Sequence, residues 1–146
     1  MKLLPLLLAL LLTACAPAYS VTKPDTALKV TGVYVGVFSG AGDLDGNLMN
    51  ALPTALSAAG FKVTGIKYPA ARGASIKIEG ELSPASSSEP RPSRIAKAFV
   101  RVIEFRSGKT VAQYRFDTSN PLEMRDPNAL ARDIAGLLTK DFKQLP

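Results

Sequence analysis

Histidine is missing from this chain, and cysteine occurs once, at Cys15. Without an imidazole there is no Ser-His-Asp or Cys-His catalytic set and no histidine-ligated metal. A single thiol can form no internal disulfide and no cysteine metal cluster. The longest apolar run, residues 3–12, is also too short to cross a bilayer, which takes about 20 residues. The Gly-Lys-Ser/Thr end of a phosphate loop is absent before the first candidate helix. Asp43, Asp45 and Asn47 have calcium-like spacing. A calcium loop then needs Gly at its sixth place and Glu at its twelfth, and those places hold Leu48 and Thr54. Glu79 and Glu81 are neighbours on one face of an alternating segment, a poor arrangement for a hydrolytic carboxylate pair. The chain is expected to be no enzyme and to carry no cofactor and no metal.

What is present begins with an address. Lys2 precedes the apolar run, and small residues follow it, the layout of a secretory leader. Leu12-Thr13-Ala14-Cys15 resembles the bacterial lipobox position for position. That resemblance implies cleavage between Ala14 and Cys15 and lipidation of Cys15. It also implies a diacylglyceryl thioether, usually with a further amide-linked chain. Each buried methylene contributes about 0.8 kcal/mol, and one chain alone holds only marginally. Two or three would make attachment effectively permanent. Ala16 is not the aspartate that keeps many lipoproteins in the inner membrane, so the outer membrane, facing the periplasm, is expected. Residues 1–14 are read as the leader, 15–27 as the lipidated N-terminus and a short tether, and 28–146 as one periplasmic domain.

Lys and Arg number 18 against 12 Asp and Glu, a formal net charge of +6. Loss of Lys2 with the leader lowers it by one. In the envelope, such a balance suits anionic headgroups, cell-wall polymers or an acidic protein, as well as a merely solvated surface. Nucleic acid is not expected in that compartment.

Residues 16–27 hold two prolines without periodicity and read as tether. Residues 29–38 are rich in valine and aromatics, with Val33, Val35 and Val37 on one face and Tyr34 and Phe38 on the other. This suggests a strand covered on both sides. A glycine-rich loop over 39–47 leads to a helix over 48–59, with Asn50 a possible cap that would put Pro53 in the first turn, an earlier start making Pro53 a kink instead, and Gly60 as its stop. A strand over 61–68 completes a parallel crossover unit. Residues 74–82 alternate, with Ile76, Ile78, Gly80 and Leu82 dry and Lys77, Glu79 and Glu81 wet. Residues 83–93 read as a loop from which no core can be built. Residues 94–105 and 110–117 form a hairpin around 106–109. Asp126-Pro127 caps a closing helix whose stripe is Leu130, Ile134, Leu137, Leu138 and Phe142.

The expected class is α+β, an α/β sandwich of about five strands in a mixed sheet and two main helices, ordered β-α-β-β-β-β-α. The valine-rich strand, the glycine-rich loop through Gly46, the helix and Gly60-Phe61-Lys62-Val63 resemble the start of a group of envelope lipoprotein domains. So do 78–82, the turn 107–111 and the closing helix. That group includes the curli secretion protein CsgG and LpoB-type activators of penicillin-binding proteins. The expectation of a non-catalytic accessory module comes from the anchor, the short tether, the missing catalytic sets and a mixed face around Phe99, Arg101, Tyr114 and Phe116. Segments like the CsgG pore hairpins are absent, and the tether is short.

On the hairpin, one face is expected to hold Ala96, Ala98, Val100, Val102 and Val111. The other holds Ile95, Lys97, Phe99, Arg101, Ile103, Tyr114 and Phe116, unless a bulge at Gly108 swaps the parity of the return strand. Its mixture of cations and aromatics makes Lys97, Phe99, Arg101, Tyr114 and Phe116 the expected surface for an envelope protein partner. The alternative is an anionic glycan or lipid headgroup bound by Arg91, Arg94, Lys97 and Arg101. The oligomeric state is left open.

Overall fold

The valine-rich strand lies one place in from the edge of a six-stranded sheet in the computed structural model, which describes residues 19–22, 28–67, 73–85 and 93–144. In chain order the strands are β1 (Tyr19–Thr22), β2 (Lys29–Val30), β3 (Val33–Ser39), β4 (Val63–Ile66), β5 (Ile76–Pro84), β6 (Ile95–Glu104), β7 (Thr110–Asp117) and β8 (Lys143–Gln144). Helix α1 (Asp43–Ala58) follows β3, and helix α2 (Pro127–Asp141) follows β7. The main sheet runs β1-β7-β6-β5-β3-β4, and β2 pairs separately with β8. β3 is parallel to both β4 and β5, while β5, β6, β7 and β1 are successively antiparallel. The expected α+β class, mixed sheet, two helices and element order are therefore what the molecule has.

Both helices bury their apolar stripes in one core. Leu44, Leu48, Leu52 and Leu56 of α1 join Leu130, Ile134, Leu137 and Leu138 of α2 and the inward residues of the sheet. β5 shows why that core has one side: Ile76, Ile78, Gly80 and Leu82 are buried, while Lys77, Glu79 and Glu81 are not. Gly80 is required at close quarters, since a Cβ there would fall on the Phe99 carbonyl oxygen and crowd the Phe38 ring.

Four local expectations change. First, α1 begins five residues early. Gly42, with φ 61°, lets the chain turn in, and the Asp45 carboxylate accepts from the Ala41 N–H at 3.0 Å. Asp43 and Asp45 in the first turn also favour the positive end of the helix dipole. Pro53 is consequently interior, not in the first turn, and leaves the Met49 carbonyl without its helical donor. The stop holds: Gly60 has φ 91°. The Phe61 N–H reaches Leu56 O and the Gly60 N–H reaches Ser57 O, the two bonds of a Schellman close.

Second, β3 contains a bulge. Val35 pairs with Ile78 and Phe38 with Gly80, so Gly36 and Val37 both stand opposite Glu79. The extra residue moves Phe38 into the core beside Val33 and Val35 and leaves Val37 52% exposed. Third, β4 is shorter than 61–68, ending where Lys67 takes φ 64°. Fourth, part of the expected tether is structured, because Tyr19–Thr22 pairs along β7 as an edge strand. Residues 1–18, including Cys15, lie outside the described residues, as does most of the 83–93 loop.

Candidate functional site

The helices cover one face of the sheet, and the opposite face carries the polar side chains of β5, β6 and β7. At its centre is Glu79. Its Oε2 lies 2.8 Å from Lys77 Nζ and its Oε1 3.0 Å from the Arg101 guanidinium across the strands. The second contact follows from register, since Glu79 and Arg101 are direct partners on β5 and β6. Arg101 Nε is buried without an acceptor among the described residues. The guanidinium therefore has donor capacity left over. With both oxygens already held by cations, Glu79 is poorly placed to take a proton from a substrate.

Toward β7 the Arg115 guanidinium stands 5.8 Å from the centre of the Phe99 ring, and the two residues are register partners. Such a cation–π contact contributes about 0.5–1 kcal/mol at an exposed position. Lys97 lies 3.7 Å from Asp117, both largely in solvent. Toward β3, Tyr34 packs edge-on against Phe105 with ring centres 6.0 Å apart. Phe105 is 41% exposed and Val37 52%. The open face thus alternates ion pairs with partly exposed apolar groups.

Of the residues expected on a partner surface, Lys97, Phe99 and Arg101 lie together on this face. Tyr114 and Phe116 do not. The register pairs Val102 with Ala112 and Ile103 with Thr110, leaving Val111 as an extra residue. That bulge reverses the expected parity, so Tyr114 stands beside Val100 and Phe116 beside Ala98, both in the core. Ile95 is also buried. The residues that take their place outside are Gln113 and Arg115. The signal for them was available in the alternation of Ala112, Tyr114 and Phe116 with Gln113, Arg115 and Asp117.

Tyr114 is fully buried, and its hydroxyl donates to Asp141 Oδ2 at 2.9 Å, tying β7 to the end of α2. Burial first, then the Asp141 charge and this hydrogen bond, holds the phenol far above the ordinary tyrosine range. Among the described residues no group of three or more His, Cys, Asp or Glu could hold a metal ion. Of the cations suggested for anion binding, Arg94 donates to the Pro121 carbonyl at 2.9 Å. Lys97 and Arg101 face carboxylates, and Arg91 lies outside the described residues.

Two concavities lie elsewhere. A cavity of about 360 Å³ opens between the end of β7 and α2, with Ile95, Phe116, Leu130 and Leu137 as its apolar floor. A broader groove lies where Asn50 and Thr54 of α1 approach Asn128 and Arg132 near the start of α2.

No protein family and no curated protein matches this chain. Solved structures do share its fold. A PelC dodecamer from Paraburkholderia phytofirmans superposes with a TM-score of 0.56 at 15% identity, covering 83% of this chain and 94% of that one. A single-substitution variant of the PelC dodecamer from the same organism gives 0.56 at 14% identity, covering 83% and 95%. At these identities the likeness is one of fold.

Proposed function

We propose that this protein is a non-catalytic lipoprotein, anchored through Cys15 to the outer membrane and facing the periplasm, where it acts as an interaction or accessory module. The observation that carries this reading is the open sheet face. One side of the sheet is packed by both helices, and the other presents Phe99, Arg101 and Arg115 beside exposed Val37 and Phe105. Aromatic and arginine side chains on a rigid sheet suit a protein interface. The lipobox-like Leu12-Thr13-Ala14-Cys15 supports the anchor.

A second copy of the chain is one form the partner can take. Two structures that share the fold are PelC dodecamers, which supports self-association. Anionic glycan or headgroup binding is less favoured, because Arg94, Lys97 and Arg101 already have partners.

The test places a photo-crosslinking residue at Phe99 in the full chain, in cells. Illumination should yield one discrete adduct that is lost when Arg101→Glu is added. An adduct of twice the chain mass identifies a second copy, and any other discrete mass an envelope protein. Absence of a competed adduct would leave the face merely solvated and defeat the proposal. In parallel, globomycin or Cys15→Ser should leave an unprocessed, unlipidated precursor. Normal processing of the serine variant would defeat the anchor.

A further inference from the structure

The cavity between the end of β7 and α2 plays no part in the open face, and three observations bear on its occupant. Its floor is apolar and buried, formed by Ile95, Phe116, Leu130 and Leu137. Its volume, about 360 Å³, falls within the range of small-ligand sites, roughly 300–1,000 Å³. Helix α2 contributes Gly136 to its wall, and a Cβ built there would meet nothing within 4 Å. Glycine in a helix interior is destabilising relative to alanine. No neighbour requires the glycine, and its effect is to widen the cavity.

The chain's own N-terminus leads to the same place. β1 runs antiparallel to β7 with Tyr19 opposite Phe116. β1 therefore begins at the end of β7 where Asp117 and Thr118 line the cavity. Cys15 lies four residues before Tyr19, a reach of at most about 14 Å.

The geometry points to this cavity as the seat of one acyl chain of lipidated Cys15. The inference rests on the lipid anchor proposed above. An unbranched hydrocarbon fits the apolar floor. At the rim, Arg132 and Lys140 make no ion pair among the described residues, and suit the ester carbonyls of a diacylglyceryl group. Bilayer and cavity are both apolar surroundings for a methylene, so short connection decides between them. With the amide-linked chain present, two chains remain to hold the leaflet.

The experiment uses the full-length protein in its own membrane with a benzophenone residue in place of Lys140. After illumination and digestion, mass spectrometry should find the lipopeptide that begins at Cys15 joined to the peptide containing position 140. The same probe at Glu81 should give no such product. Adding Gly136→Leu, which fills the cavity, should remove most of the cross-link and leave the Cys15 lipopeptide mass unchanged. Gly136→Ala should fold and retain it. A normal lipopeptide without the cross-link overturns the inference while sparing the anchor. So does a cross-link to free phospholipid alone, or one that survives Gly136→Leu in a folded protein. An unmodified Cys15 overturns both, and the lipopeptide mass alone tells the two failures apart.

Discussion

Position 114 places a phenol with no exposed surface against a single acceptor, Asp141. Replacing Tyr114 with Phe removes that hydrogen bond and should cost about 1 kcal/mol near neutral pH. The pH dependence has a definite sign. The folded state holds the phenol neutral well above its ordinary range, whereas the unfolded phenol ionises near pH 10. The stabilisation is complete below about pH 10 and is lost progressively as pH rises beyond it. Urea unfolding of wild type and Tyr114→Phe at pH 7 and pH 11 should therefore show the gap between them narrowing or reversing at the higher pH. A constant gap would mean that the phenol ionises alike in both states. The alternation of Ala112, Tyr114 and Phe116 with polar neighbours marks Tyr114 for the interior, though not for its bond to Asp141. Tyrosine suits either face of a strand, and the register with Val100 fixes the one it takes.

Helix α2 could be read from its sequence because its start and its buried face are local. Asp126 caps it through a 2.8 Å bond from the Ala129 N–H, Pro127 opens it, and the stripe from Leu130 to Leu138 is buried. Asp126→Ala should lower stability by about 1 kcal/mol, seen as an earlier urea midpoint with unchanged slope, and Asp126→Asn should restore most of it. β5 was legible for a similar reason, its alternation being unbroken from Ile76 to Leu82. The start of α1 was hidden because Gly42 contributes no capping side chain, and Asp45 closes the turn from inside the helix. The bulges at Gly36–Val37 and at Val111 were hidden because a bulge is a property of two strands, and a sequence displays one at a time. They account for the misplaced Val37, Tyr114 and Phe116. β1 escaped for want of length. Four residues on a sheet edge carry too little pattern to separate a strand from a tether.

Pairing of Tyr19–Thr22 with β7 changes how the whole domain would sit on its proposed anchor. Four residue steps from Cys15 to Tyr19 span at most about 14 Å, so an anchored domain would have one end against the leaflet. That is the end where β7 finishes at Asp117 and the 118–125 segment begins. This segment is held by the Leu122 N–H to Asn120 Oδ1 at 3.1 Å and the Glu123 N–H to Asn120 O at 3.0 Å, and it presents Leu122 with 89% of its surface exposed. At the other end of β7 stands the turn after Phe105. Eight residues of strand separate the two ends, roughly 25 Å at about 3.3 Å per residue. A benzophenone probe at Leu122 should therefore form phospholipid adducts in isolated membranes, and one at Phe105 should form few or none. Inserting a Gly-Ser segment of about 20 residues between Ala18 and Tyr19 adds a mean reach of roughly 25 Å and should reduce the Leu122 adduct to the Phe105 level. Equal labelling at both positions in the uninserted protein would mean that β1 does not fix the orientation, and that the domain tumbles freely on a tether running the full length from Cys15 to the start of β2.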